Sequence, residues 1–244
     1  MRISFMQPYF LPYLGYFDLI NSTDLLVFFD EAQYVKQRWM NRNRILHPQK
    51  GWQFITVPVK KAPLETSIAE TRIQNAIDWK KRILNQLDHY RLRAPYFESV
   101  RELLQRCFAQ EFSGLSELNI HTLRLLCEYL GIESRTELTS DLHMYSEEFN
   151  SPHDWVFDLC ARKVADEYVN LPGGTLIYDR ERFEQKGIAL EFRNLPPMKY
   201  ETPGYQFEPG LSIIDVLMWN SPQTVRDYLD AHKSAVVEVN GGAS

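Results

Sequence analysis

The chain has 244 residues, 44% hydrophobic, 24% charged and 13% aromatic, with a formal net charge of −5. That length suffices for one sizeable α/β core, and the acidic balance argues against a dedicated nucleic-acid binder. There is no run of eighteen apolar residues to span a membrane and no legible secretory leader, and the three distant cysteines, Cys107, Cys127 and Cys160, have neither a metal nor a redox spacing, so a reduced, cytoplasmic setting is expected.

Ile3 to Met6 is a short apolar run that reads as a strand. Pro8 and Pro12 then lack the backbone donor a continuing ladder needs. From Tyr13 the spacing turns helical, with Leu14, Phe17 and Ile20 on one face. A second apolar run, Leu25 to Phe29, ends on Asp30. Strand, loop, helix, strand is a βαβ unit and predicts a parallel sheet. Its ligands belong beyond the carboxyl ends of the strands, which places Gln7, Pro8, Tyr9, the helix start and Asp30 to Tyr34 at that edge. The next stretch is basic and aromatic together: Lys36, Arg38, Arg42 and Arg44, with Tyr34 and Trp39 as stacking faces. It reads either as a solvated loop or as an anion site, since arginine forks match phosphate and carboxylate oxygens. Asn43 to Leu46 and Trp52 to Val57 suggest a hairpin, and Ile68 to Ile73 a further strand.

Residues 78–135 are mostly helical in pattern: one helix carries Trp79, Ile83 and Leu87, a second spans Phe97 to Phe112, and a third runs from Leu115 to Leu130 with Gly131 at its C-cap. Ile132 to Leu138 resembles a strand. Residues 139–154, with Ser140, His143, Tyr145, Ser146 and Glu147, form an irregular segment suited to a lid. Ser151-Pro152 opens a helix predicted to reach Ala165. Glu167 to Leu171 reads as a strand, Pro172 to Thr175 as a turn, Arg182 to Lys186 as a helix stopped by Gly187, and Ile188 to Phe192 as a strand. This second βαβ-like unit supports an α/β, Rossmann-like parallel sheet with a nucleotidyltransferase-like layout, built from residues 3–6, 25–29, 167–171 and 188–192. The expected organisation is a single domain over 1–232 with a helical insertion at about 76–135, two late helices (Leu211 to Trp219, and Ser221 to near Ala231), and a tail over 233–244.

The segment Met6-Gln7-Pro8-Tyr9-Phe10-Leu11-Pro12-Tyr13-Leu14-Gly15-Tyr16-Phe17 resembles the opening motif of the WbqC-like family. Asp30 to Tyr34, Trp39 to Ile45 and Leu211 to Asp215 match its other signatures, in order, from about residue 3 to about residue 230. The resemblance implies a place among bacterial cell-surface glycan and O-antigen biosynthetic proteins, and leaves the chemistry to the residues.

A parallel sheet with a loop-to-helix turn after its first strand is a nucleotide-binding layout, but neither G-x-G-x-x-G nor G-x-x-x-x-G-K is present there. Tyr13-Leu14-Gly15-Tyr16 resembles, in position and spacing, the His-x-Gly-His of nucleotidyltransferases. In that motif Gly15 would admit a base or ribose to the backbone, while Tyr13 and Tyr16 cannot supply an imidazole's charge at neutral pH. Asp30 is the candidate for a general base or for binding an amino group, with Tyr13 and Gln7 as the other candidate catalytic residues. Tyr9, Gly15, Tyr16, Gln33, Tyr34, Trp39, Asn41, Arg42 and Asn43 are candidate binding residues, and Gly173, Gly174, Ser212 and Asp215 join them from later loops. Asp30, Asn41, Asn43 and Ser212 read equally as turn and cap residues, and Gly173 and Gly174 as plain turn glycines. The expected pocket gathers Gln7, Tyr9, Tyr13, Asp30, Gln33, Asn41 and Arg42. No metal is expected; the cofactor is open, with a nucleotide or nucleotide sugar as the candidate. The expected partners are a small anionic substrate and an acyl or peptidyl carrier protein, with the oligomeric state open. Three functions fit: an acyl or aminoacyl transferase acting on an amino group of a nucleotide-activated or carrier-bound intermediate, a nucleotidyltransferase with an altered motif, and a non-catalytic binding protein of a biosynthetic complex.

Overall fold

In the computed structural model, which describes residues 1–133, 135–144 and 149–236, the first apolar run forms β1 (Arg2–Met6). It leads through the proline loop to α1 (Leu14–Asn21) and back to β2 (Leu25–Phe28), parallel to β1 with Phe5 opposite Val27. The predicted hairpin is present as β3 (Arg42–Leu46) and β4 (Trp52–Thr56), antiparallel and separate from the main sheet. Three helices follow, α2 (Trp79–Gln86), α3 (Phe97–Cys107) and α4 (Leu115–Tyr129), before β5 (Thr136–Leu138) pairs with β2. Then α5 (Pro152–Lys163), β6 (Glu167–Asn170), α6 (Arg180–Gln185) and β7 (Ala189–Phe192) complete the sheet, and α7 (Ile213–Trp219) and α8 (Pro222–Ala231) close the described chain.

The five strands lie in the order β5-β2-β1-β6-β7 and are all parallel. The chain winds outward from β1 in one direction through β2 and β5, then in the other through β6 and β7. That is the doubly wound, Rossmann-like arrangement, and its order reverses between β1 and β6. Strand alternation separates two cores. Ile3, Phe5, Leu25, Val27, Tyr168 and Leu190 face a layer containing α5 and α6. Leu26 and Phe28 face the larger core made with α1, the hairpin, α2 to α4, α7 and α8. Among the described residues, no helix is long and apolar enough to cross a membrane.

Several elements differ from the sequence reading, and β5 covers only the last three residues of the strand expected over Ile132 to Leu138. Residues 68–73 form no strand: Ser67 O accepts from the Thr71 amide and hydroxyl, and Ser67 Oγ bonds Glu70, so local side-chain bonds replace a ladder and only isolated bridges remain. The helix begun at Phe97 stops at Cys107 instead of Phe112. α5 stops at Lys163, two residues short of Ala165, because Val164 adopts a left-handed φ of 53° as its cap. The lid reading at Tyr145, Ser146 and Glu147, and the tail reading beyond residue 236, lie outside the described residues.

Candidate functional site

The loop between β1 and α1 is held almost carbonyl by carbonyl. Tyr16 donates its hydroxyl to Gln7 O at 2.8 Å, and Asn119 Nδ2 donates to Pro8 O at 2.8 Å and Met40 O at 2.7 Å. Asn43 Nδ2 donates to Phe10 O and Leu11 O at 3.1 and 2.9 Å, and Ser212 Oγ donates to Leu11 O at 2.7 Å. The Ile213 amide donates to Pro12 O, and the Phe10 amide to Trp39 O. This network keeps the buried, non-glycine Leu11 at φ 42°, a conformation that persists only where its surroundings dictate it. Two prolines and these donors make a rigid mount, from which the Gln7, Tyr9 and Tyr13 side chains reach a cavity.

The cavity has a volume of about 770 Å³. It opens at the carboxyl edge of the sheet between β1 and β6, where the strand order reverses. One wall is Gln7, Tyr9 and Tyr13 with Phe29 and Trp39. The opposite wall is Asn170, Gly173, Gly174 and Tyr178 from the segment after β6, and the start of α5 supplies Asn150, Ser151 and Trp155. Eight of the lining side chains are aromatic (Phe5 and Phe149 complete the set), and none is Asp, Glu, Lys, Arg, His or Cys among the described residues. Phe29, Trp155 and Phe149 pack in series as tilted rings with centroids 4.5 and 4.3 Å apart.

The polar groups here are donors in waiting. Burial pushes the Tyr13 phenol up to about 12 and raises Tyr9 as well, the charge of Arg38 working the other way, so both stay protonated at neutral pH. Among the described residues, no protein group bonds either hydroxyl or the Gln7 amide. Asn170 Nδ2 donates to the buried Tyr168 hydroxyl at 2.8 Å, and that hydroxyl donates to Tyr178 at 3.3 Å. The relay leaves the Tyr178 proton free for a ligand.

Gln7, Tyr9, Tyr13, Trp39, Gly173 and Gly174 thus meet at one cavity, while the other candidates lie elsewhere. Asp30 is on the same sheet edge but faces β5. Its carboxylate is 1% exposed and accepts from the Thr139 hydroxyl and from the Ser140 amide and hydroxyl, at 2.9, 3.1 and 2.7 Å. It ties two strand ends together and borders a different groove, beside Ser116 and His121. Asn41 is buried with its amide donating to Val57 O, and Gln33 is exposed with its amide donating to Leu64 O. Tyr34 is half-buried, its amide held by Thr66 O, and it does not line the cavity. Arg42 lies 3.8 Å over the Phe54 ring and donates to Gln37 O at 2.5 Å, also outside the cavity. Tyr16 is fully buried. A Cβ on Gly15 would stand 2.5 Å from the Tyr13 ring, so Gly15 makes room for that ring and not for a ligand's base. Gly174 has a similar packing role, with Phe192 and Asn170 within 3.0 Å of where a Cβ would sit, whereas Gly173 has open space there. Ser212 is the N-cap of α7. The sequence reading missed Asn170 and Tyr178, although Asn170 ends β6 as a polar residue in the way that Gln7 follows β1.

Asp215 is buried in the helical core, far from the role expected of it. It accepts from the Tyr90 and Tyr200 hydroxyls and the Leu46 amide. Burial, only partly offset by these three donors, lifts its carboxyl to about 6. A carboxyl raised from 3.8 in the unfolded chain to about 6 in the fold stabilises fully below pH 3.8, and that contribution is lost as pH rises through 6. Asp215→Asn is therefore expected to remove roughly 3 kcal/mol of pH dependence between pH 4 and 7. Urea melts of both proteins across that range should diverge; parallel curves would refute the assignment.

Fold and cavity together define a Rossmann-like protein with a ring-lined cavity at its topological switch point. The chain belongs to the WbqC-like protein family, whose signature matches residues 7–227. It is 32% identical over 231 residues to the uncharacterized protein Rv1507c of Mycobacterium tuberculosis (strain ATCC 25618 / H37Rv), a match covering 93% of this chain and 97% of that relative. No solved structure matches it significantly.

Proposed function

We propose that the switch-point cavity binds the ring-bearing part of a nucleotide-activated or carrier-bound biosynthetic intermediate, and that the protein acts as an acyl or aminoacyl transferase on an amino group held there. The observation that carries this reading is an aromatic, charge-free lining at the edge where doubly wound sheets take their ligands. Flat rings suit a base or the apolar face of a sugar. A lining without charges also lowers the pKa of a bound amine, favouring the free nucleophile. Attack of that amine on the acyl carbon of a thioester, with the thiolate departing with the bond's electron pair and taking up the proton the amine loses, asks the protein mainly for proximity and for donors to the developing oxyanion. The Tyr9, Tyr13 and Tyr178 hydroxyls, all protonated, are such donors. The glycan-biosynthetic setting that the WbqC-like resemblance implies supports an amino sugar as acceptor. The nucleotidyltransferase reading draws no support from the Tyr13 to Tyr16 motif, whose glycine and second tyrosine serve packing.

Titration with nucleotide-linked amino sugars is expected to quench the fluorescence of Trp39 and Trp155 saturably at a single site. Adding an acyl thioester should then give an N-acylated product of matching mass. Binding without any transfer would leave a binding protein; no quenching by any of these sugars would end the proposal.

A further inference from the structure

Beside the main cavity lies a smaller one of about 230 Å³, which shares the Tyr9, Tyr13 and Trp39 side chains with it and is completed by Asn43, Arg44 and Gly210. Arg44 is the one cation lining either space among the described residues. Alternation along β3 explains its direction: Asn43 and Ile45 turn inward, while Arg42 and Arg44 share the outer face with Trp52 and Phe54 of β4. The Arg44 guanidinium lies 5.4 Å over the Trp39 ring and 5.1 Å over Trp52, and Nη2 donates to Gly210 O at 3.1 Å. Its Nε is buried without a partner, and it forms no ion pair among the described residues. A guanidinium set near two indole rings, partly stripped of water and lacking a carboxylate, has donors left over in a fork that fits two oxygens of one anion.

We infer that Arg44 forms an anion subsite continuous with the main cavity, taking the phosphate or carboxylate of a ligand whose ring lies beyond the Tyr9–Tyr13–Trp39 wall. This rests on the reading of the main cavity and narrows it to ligands that carry ring and anion in one molecule, a nucleoside diphosphate being the model class. The neighbouring Arg42, stacked on Phe54 and bonded to Gln37 O, also leaves its Nε unpartnered but lines neither cavity and takes no part.

The test is calorimetric titration of the full chain with inorganic pyrophosphate, uridine and uridine diphosphate. Pyrophosphate and uridine diphosphate should bind the wild type, and Arg44→Gln should weaken both roughly ten- to a hundredfold while leaving uridine unchanged. Arg44→Lys, which keeps the charge without the fork, should lie between them at an unchanged melting temperature, and it decides the matter if Arg44→Gln fails to fold. Pyrophosphate that binds only where Arg44 is present, with uridine and its diphosphate showing no cavity binding, would uphold the anion subsite and remove the ring-binding reading. Pyrophosphate that fails to bind the wild type, or binds Arg44→Gln or Arg44→Lys equally well, would overturn the subsite.

Discussion

Asp18→Ala is expected to cost about 3–5 kcal/mol, the usual result of stranding one member of a buried ion pair. Asp18 sits on α1 and Arg193 just past β7, and each side chain is 1% exposed. The contact is two-pronged, Arg193 Nε donating to Asp18 Oδ2 at 2.9 Å and Nη2 to Oδ1 at 2.8 Å. Arg193 also donates to the carbonyls of His232 and Lys233, fastening the segment after α8. At roughly 2–4 °C per kcal/mol for a chain of this size, the melting temperature should fall by on the order of 10 °C. The double replacement Asp18→Leu with Arg193→Met should recover much of the loss, because apolar pairs of similar volume often substitute for buried ions. Recovery should be incomplete, since two carbonyls lose their donor. A single variant that melts within about 2 °C of wild type would contradict this account of the pair.

Asn43→Ala is expected to damage stability and binding together. The side chain is 4% exposed and makes three hydrogen bonds: two donated to Phe10 O and Leu11 O, and one accepted from the Arg44 amide at 2.8 Å. Removing it leaves buried backbone groups unpaired, at about 1–3 kcal/mol for each group that finds no water. It also loosens the strained Leu11 turn that sets Tyr9 and Tyr13, so affinity for a nucleotide-linked sugar should drop by about tenfold or more. Asn41→Ala is the control. It is equally buried, but its amide donates to Val57 O within the hairpin region. It should lower the melting temperature and leave affinity near wild type. If both variants bind normally once folded, the proline loop does not position the site.

Much of this architecture is legible in the sequence because it rests on local pattern. The runs read as strands at Ile3 to Met6, Leu25 to Phe29 and Glu167 to Leu171 form strands over Arg2–Met6, Leu25–Phe28 and Glu167–Asn170, largely buried, and the Pro8–Pro12 interval can only be a loop. That placed Gln7, Tyr9, Tyr13, Gly173 and Gly174 at one edge of a parallel sheet, where the cavity lies. Direction within that edge was not legible. Asp30 looks like a base because a carboxylate ends a buried strand, yet its three donors come from residues 139 and 140, about a hundred positions away. Asn43, Ser212 and Asp215 are polar residues in apolar surroundings, and polarity alone does not separate a group that meets a ligand from one that satisfies a buried backbone. Arg42 and Arg44 are two residues apart on one strand face, and only their aromatic partners across the hairpin distinguish them.

We place the ligand of this protein in the ring-lined cavity between β1 and β6, and not in the groove beside Asp30 and His121. Crystals soaked with a nucleotide-linked amino sugar test it most directly. Difference density is expected between the Tyr9–Tyr13–Trp39 wall and the Asn170 to Tyr178 segment, with the diphosphate at Arg44. Density in the Asp30–His121 groove with the switch-point cavity empty would contradict it.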